Sequence, residues 1–571
     1  MPETQLKPSE LKPWMKVWGE DLPDLSECEC SAYRYINKRN QDKLGASALR
    51  YFDRQIPYGE FFENVEKTAK AFVAAGVKKG DIVSMVSVMT PETIYSFYAL
   101  DMLGATLNLA DPRTSSAGLR DYIHEVHSSV VLSLSVSNFK IENALEALPE
   151  VKKVIVVSPA DSLTGFKKIG YNLTKKEHIK YNDIFVSWED FLAQGENGSF
   201  TEEPYDPKHA VLIVHTGGTT GPSKGVLLGD YALNALAAQA GFKRAAPGDK
   251  FLNIMPPFIA YGYGYGTHTP LAAGMEVILI PQFDPQDFGK LILKYKPEHT
   301  AGVPLHYQGL ASDPHMKDAD LSFMKTTGAG GDAITPQAED MVNEFLKAHN
   351  SQYKLCKGYG MTEASAAIAA SFHDCNRRCS VGIPFCHTTV GIFDPETGEE
   401  LGFNEEGEVC CCTPCAMIGY YENEKETAEV LRTHADGKVW VHTGDIGRLN
   451  EDGFLFIVNR IKRVIIRFDG FKVFPVAIEN VISEIDGVHT AVAVAIKDRD
   501  HNQGNLPFVF VKANPGVDCQ ELERRIRKVC ANQLAEYVVP VGYRFIEEVP
   551  YTPIGKVDYL ALQKRAETIT Y

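Results

Sequence analysis

Several things are missing from this 571-residue chain, and each absence removes a class of protein. No apolar run approaches the roughly 18 residues that a membrane-spanning helix needs. The start, Met1-Pro2-Glu3-Thr4-Gln5-Leu6-Lys7, lacks the basic-then-apolar pattern of a secretory signal, so a cytoplasmic protein is expected. There is no internal repeat and no low-complexity block. Positive charge is short, at 58 Lys plus Arg against 74 Asp plus Glu, a net charge of −16. That disfavours a nucleic-acid binder, which presents a basic field to phosphates. The deficit is uneven: residues 460–571 hold 16 basic against 14 acidic residues, so the remainder, at 42 against 60, carries all of it.

A zinc site is not expected either. Of the twelve cysteines, Cys410-Cys411-Cys412 with Cys415, and Cys375 with Cys379, are the ones whose spacing comes near that of metal ligands. Glu408-Val409-Cys410-Cys411-Cys412 reads as a strand whose side chains alternate between faces, so three consecutive thiols cannot reach one ion. Reduced, structural cysteines are expected, without disulfides.

What is present is organisation. The length implies two or more domains, and 44% hydrophobic with 23% charged residues is ordinary for a globular protein. Ile82–Val88, residues 129–135 and Val154–Val157 read as buried strands. Between the first two, Thr90 can cap a helix whose first turn holds Pro91 and which Gly104 can end. This alternation predicts a parallel, helix-covered sheet. A boundary is expected near 458–462, dividing residues 1–459 from 460–571. Beyond it, Val464–Val473 suggests a hairpin turning at Asp469-Gly470, followed by helices near 476–485 and 519–535 and strands near 490–496 and 507–513. The fold class is therefore α/β: a large N-terminal domain of helix-covered β-sheets and a small α+β C-terminal domain.

The most informative stretch is His215-Thr216-Gly217-Gly218-Thr219-Thr220-Gly221-Pro222-Ser223-Lys224-Gly225, which follows the apolar strand Ala210–Val214. Its glycines, hydroxyls and lysine suit a loop that wraps backbone N–H groups around phosphate oxygens; they also suit a plain surface turn. Walker A is not met, because Lys224 follows Ser223 and precedes Gly225. The run resembles the T-[SG]-G-[ST]-T-G-x-P-K-G signature of the adenylate-forming (AMP-binding) superfamily, in its acyl-CoA synthetase or carboxylate–CoA ligase branch. Proline stands one place early, at Pro222, with Ser223 in its usual position.

Further clusters follow in the family's order over about residues 55–565. Lys357-Gly358-Tyr359-Gly360-Met361-Thr362-Glu363 is similar to G-Y-G-x-T-E. The resemblance implies that Tyr359 stacks on adenine, Thr362 meets the α-phosphate and Glu363 holds Mg2+, chemistry that suits a flat ring and a hard oxygen ligand. Thr327-Gly328-Ala329-Gly330-Gly331-Asp332 resembles the loop that lines adenine. In Trp440–Asp445, Asp445 matches the aspartate that takes the ribose hydroxyls. Asn459-Arg460-Ile461-Lys462 resembles the hinge, with Arg460 toward ribose or phosphate and Lys462 as pivot. Gly470-Phe471-Lys472-Val473 makes Lys472 a further phosphate candidate. Tyr551–Asp558 resembles T-x-x-G-K-[IV], which makes Lys556 the catalytic lysine between carboxylate and α-phosphate.

The implied reaction is ATP-dependent formation of an acyl-adenylate, then transfer of the acyl group to CoA; the alternative is loading of a carrier protein. The implied cofactors and substrates are ATP, Mg2+, CoA and a small carboxylate, with no nucleic acid and no integral membrane segment; a homodimer stays open. Met255–Gly262 resembles the P-L-F-H-x-x-G stretch, with Ile259 where a gate histidine is common. Phe258, Tyr261, Gly262 and Gly328 are the substrate candidates. The glycines of Tyr261–Gly266 cost about 1 kcal/mol each in a helix, for which either a close-packed ligand or close helix packing is the reason. No acidic residue precedes that helix to hold a substrate amine, so an apolar carboxylate, fatty or aromatic, is favoured.

Overall fold

A computed structural model describes residues 7–569 apart from 175–178, 217–223, 242, 373–374, 461–462, 469–470, 500, 502–503 and 553–555, and describes Lys472 in its backbone only. Three sheets build the larger body. The first has nine strands, whose central six (Ser47–Tyr51, Glu276–Leu279, Lys250–Asn253, His299–Gly302, Thr326–Gly330 and Cys356–Tyr359) run parallel. The second has eight, ordered Gly419–Tyr420, Gly225–Gly229, Ala210–His215, Thr106–Ala110, Ile82–Val86, Val130–Leu134, Lys153–Val157 and Phe185–Ser187. From Ala210–His215 onward that order is parallel. The mixed α/β class and helix-covered parallel sheets read from the sequence are what the chain forms.

Local chemistry accounts for the elements. The helix Pro91–Met102 begins where Thr90 Oγ1 accepts from Thr93 N, with Pro91 in its first turn, and the chain leaves it through Gly104 at φ +62. All twelve of its residues are buried, because it lies in the main core between sheets. The cysteine-rich strand Gly407–Cys412 alternates as a strand must. Cys411 joins the main core, whereas Cys410 packs on the other face with Phe393 and Trp440. All twelve cysteines are free thiols.

The third sheet, antiparallel, carries Val439–Leu449 paired with Leu455–Arg460 across a tight turn. After Arg460 the chain enters a smaller α+β unit. Ile465–Ile466 pairs antiparallel with Lys472–Val473, the hairpin expected there, although its Asp469-Gly470 tip lies outside the described residues. Helices Pro475–Ser483 and Cys519–Gln533 pack against the antiparallel pair Val488–Lys497 and Asn505–Ala513. A parallel strand, Gly542–Phe545, and a last helix, Tyr559–Glu567, complete the unit.

Candidate active site

Parallel sheets bind ligands beyond the carboxyl ends of their strands, and two neighbouring strands of the nine-stranded sheet end in predicted site residues. Thr326–Gly330 leads into Gly331 and Asp332, and Cys356–Tyr359 into Gly360, with Gly330 directly opposite Gly358. Gly331 takes φ +83, a conformation that favours glycine. Gly360 is demanded by packing, since a Cβ there would lie 1.8 Å from the Ala366 carbonyl oxygen. Its neighbours Met361, half-buried against the core, and Thr362 open the short turn Thr362–Ala364 that sets Glu363 in place.

Three polar groups converge at the end of that sheet. The Tyr359 hydroxyl donates to Asp445 Oδ2 at 2.6 Å, and Arg460 Nε donates to Asp445 Oδ1 at 3.0 Å. Asp445 is buried, and its backbone N–H is fixed by Thr443 Oγ1. Burial, and then the charge of Asp445, push the Tyr359 phenol well above its ordinary value, so it stays a donor.

The smaller unit contributes Lys556. The backbone N–H of Val557 donates to Asp332 Oδ2 at 3.3 Å, and a Cβ on Gly331 would sit 3.5 Å from Lys556 Cε. Thr552 N donates to Lys556 O, and Lys556 N to Thr552 Oγ1, which ties the lysine's backbone in place. Burial, followed by the neighbouring Arg460 charge, lowers the lysine's pKa; Asp332, Asp445 and Glu363 oppose that shift. One ammonium thus feels three carboxylates drawn from two different sheets.

Lys224, at the end of the glycine-rich run, is linked to Glu363 through Tyr420. Strands Ala210–His215 and Gly225–Gly229, which precede and follow the run, pair antiparallel. Thr216 N donates to Lys224 O at 3.0 Å and Lys224 N to Thr216 Oγ1 at 3.2 Å, closing its base. Gly217, Gly218, Thr219 and Thr220 lie outside the described residues, as do Lys462 and the side chain of Lys472. His215, which ends the strand before the run, is kept neutral, since burial pushes it down to about 4, and Nε2 meets Asn108 Oδ1 at 2.7 Å. Lys224 is ion-paired with Glu426 and sits 4.8 Å above the Tyr420 ring, whose hydroxyl donates to Glu363 Oε1 at 2.7 Å. Tyr420 and Glu426 are the site residues that sequence reasoning missed. Tyr420 is the first of two consecutive tyrosines, with no pattern that marks it; Glu426 lies in the first turn of the short helix Glu424–Val430, capped by Asn423, a signal of helix start and nothing more.

Tyr261 packs over the glycine face of the neighbouring strands. Its ring lies 3.7 Å from where a Gly330 Cβ would be, and its hydroxyl lies 3.4 Å from the carbonyl oxygens of Gly302 and Gly328. Gly328 is closely packed itself, with a would-be Cβ 2.9 Å from Thr300 O. Residues Tyr261–His268 form a π-helix, wider than an α-helix and frequent at functional sites. Its glycines meet protein: a Cβ on Gly262 would fall 1.9 Å from Pro256 O, and one on Gly266 2.8 Å from the Asn253 amide. Close packing is therefore the reason for both. Phe258 is nearly buried, with the Arg113 guanidinium 5.2 Å from its ring centre.

An α/β body thus receives one lysine from a second unit at the ends of its strands. The AMP-binding enzyme family model matches residues 36–421, and the model of the AMP-binding enzyme C-terminal domain matches 477–556. The chain belongs to the AMP-binding enzyme family. Among curated relatives, a long-chain-fatty-acid–CoA ligase of Bacillus subtilis (strain 168) is 29% identical over 564 residues, 96% of each chain. A probable 4-coumarate–CoA ligase of Dictyostelium discoideum is 30% identical over 507 residues, 87% of each. Among solved structures, the anthranilate CoA ligase AuaEII in complex with anthranoyl-AMP superposes with a TM-score of 0.81 at 18% identity, covering 95% of this chain and 99% of that one. ATP-bound MatB from Rhodopseudomonas palustris gives 0.81 at 21%, covering 94% and 99%.

Proposed function

We propose that the chain is an AMP-forming carboxylate–CoA ligase for an apolar, fatty or aromatic acid, with residues 1–459 as its adenylation domain and 460–571 as the mobile unit that carries the catalytic lysine. The convergence of Lys556, Asp332, Asp445 and Glu363 carries the reading. The family membership and the fatty-acid and 4-coumarate ligases among the relatives support it.

In the first half-reaction the acid's carboxylate attacks the α-phosphorus of ATP, forming the acyl–phosphate bond as pyrophosphate leaves. Tyr359 offers its ring to adenine, Asp445 accepts the ribose hydroxyls, and Arg460 lies beside the same sugar. Lys556 bridges the incoming carboxylate and the α-phosphate, where negative charge accumulates in the transition state. Thr216, Lys224 and the loop between them hold the departing pyrophosphate, and Thr362 meets the α-phosphate. Glu363 suits Mg2+: its carboxylate is buried, Oε1 is oriented by Tyr420, and Oε2 has no hydrogen bond among the described residues. A magnesium ion bound there would neutralise phosphate charge. In the second half-reaction the CoA thiolate attacks the acyl carbon and AMP leaves. Rotation about Lys462 would withdraw Lys556 and open a path for the thiol.

The test is release of pyrophosphate and AMP over a broad panel of carboxylates, with and without CoA. Pyrophosphate release that depends on an apolar acid, and acyl-CoA formation when CoA is added, are the expected results. No pyrophosphate with any acid overturns the proposal. Adenylation without thioester formation on CoA would move the acceptor to a carrier protein.

A further inference from the structure

We infer that the helix Gly165–Thr174 is a membrane-surface element, which lays Phe166, Ile169 and Leu173 into the headgroup region of an anionic phospholipid bilayer. None of the helix's ten residues is buried. Phe166 is 93% exposed, Ile169 57% and Leu173 81%. Single exposed apolar residues are ordinary, but these three stand at i, i+3 and i+7 and so share one helical face. The helix is held from its other side: Tyr171, half-buried, packs against the main core. An anchor opposite the stripe turns the stripe outward. A helix docked on its own protein would show the reverse, with the apolar face inward.

Charge selects the partner. The protein as a whole is strongly acidic, yet between Asp161 and Glu177 the sequence holds four lysines and no carboxylate. Lys167 lies beside the exposed ring of Phe52, at the tip of the neighbouring hairpin, and is paired with Asp53; Lys168 is exposed. An apolar stripe flanked by lysines on a short helix is the pattern of an element that lies in the plane of a membrane interface. Ten residues span about 15 Å, too short to cross a bilayer. A nucleic acid would use the lysines and leave the stripe in water. A second copy of the chain would set lysine against lysine. An anionic bilayer satisfies both features, because acyl chains take the stripe and lipid phosphates take the ammonium groups. The inference stands on this helix and does not depend on which acid the active site takes.

The experiment is sedimentation of the full chain with vesicles of phosphatidylcholine alone or mixed with phosphatidylglycerol. Wild type is expected to pellet with the mixed vesicles at low salt, to bind phosphatidylcholine more weakly, and to be released as salt screens the lysines. Phe166→Ser/Leu173→Ser should weaken vesicle binding by about tenfold or more, and Lys168→Glu by a smaller factor. Both variants should melt at the wild-type temperature, because these side chains contact solvent. Failure of wild type to bind the mixed vesicles overturns the inference, as does undiminished binding by the double variant. A lowered melting temperature would show that the stripe is packed in the folded protein and would also overturn it. So would a wild-type dimer that the double variant dissolves while vesicle binding stays unchanged, since the stripe would then join two copies of the chain.

Discussion

The Tyr359 hydroxyl and the Arg460 guanidinium grip opposite oxygens of Asp445, at 2.6 and 3.0 Å. The residues come from three strands, Cys356–Tyr359, Leu455–Arg460 and Val439–Leu449, so the grip ties the nine-stranded sheet to the antiparallel one. Each carboxylate oxygen has two acceptor positions, which leaves one on each for a ribose hydroxyl. Removing the carboxylate deletes hydrogen bonds to a charged group, worth about 1.5–3 kcal/mol. Asp445→Ala is therefore expected to raise the KM for ATP about 10- to 100-fold. Tyr359→Phe keeps the ring and loses only the donor, so an increase of about 3- to 10-fold is expected. Equal effects of the two variants in steady-state kinetics would contradict this division of labour.

Lys224 is paired with Glu426 over the Tyr420 ring. On the proposed function, a triphosphate competes with that carboxylate for the lysine. The pair is partly exposed, so it contributes about 0.2–1 kcal/mol. Glu426→Gln should consequently lower the apparent Kd for ATP by up to about fivefold, with a weaker dependence on salt. Isothermal titration at two ionic strengths measures both. Weaker binding in Glu426→Gln would mean that Glu426 positions Lys224 for phosphate instead of sequestering it.

Much of this site was readable in order along the chain, because its groups sit on turns that sequence punctuates: Gly360 before Thr362-Glu363, and Gly331 before Asp332. The joins between them were not. Lys224 and Glu426 are 202 residues apart, and Tyr359 and Asp445 are 86 apart. No local pattern encodes which oxygen a tyrosine will find across two sheets. The capped helix Pro91–Met102 was legible for the opposite reason, since Thr90, Pro91 and Gly104 act within a few residues. The π-helix Tyr261–His268 left no trace in periodicity, because its glycines answer contacts with Pro256 and Asn253 that exist only after folding.

Lys556 should give the adenylation half-reaction an alkaline limb. Its folded-state pKa is lowered, chiefly by burial and next by Arg460, so the ammonium is lost below the 10.5 of a free lysine. Adenylation should fall as pH rises through that lowered value. Lys556→Ala should reduce it about 10²- to 10³-fold, while thioester formation from supplied acyl-adenylate continues and lacks the limb. Equal loss of both halves would refute the role. The stability linkage has a definite sign: the folded protein gives up this proton first, so the lysine's contribution to stability improves as pH rises from the folded-state pKa toward 10.5.

A second pH dependence should come from two carboxyls outside the candidate active site. Asp230 Oδ1 accepts from Ala32 N at 2.8 Å and Asp101 Oδ2 from Tyr33 N at 2.7 Å, which places two buried carboxyls at the start of the helix Ala32–Asn40. Burial pushes Asp230 up to about 7, and burial followed by the charge of Asp230 raises Asp101 well above the usual carboxylate range. The two carboxyls interact, so the folded state holds a proton that the unfolded chain releases near 3.8. Their contribution to stability is full below that value and is lost as pH rises through about 7. Urea unfolding at about pH 5 and about pH 8 compares wild type with Asp101→Asn, because buried His215, held neutral, contributes to stability with the opposite sign over that range. Asp101→Asn, which leaves one titrating carboxyl, should have a midpoint that falls less, or rises more, from the lower to the higher pH than that of wild type. A midpoint change in Asp101→Asn equal to that of wild type would assign the dependence to other groups.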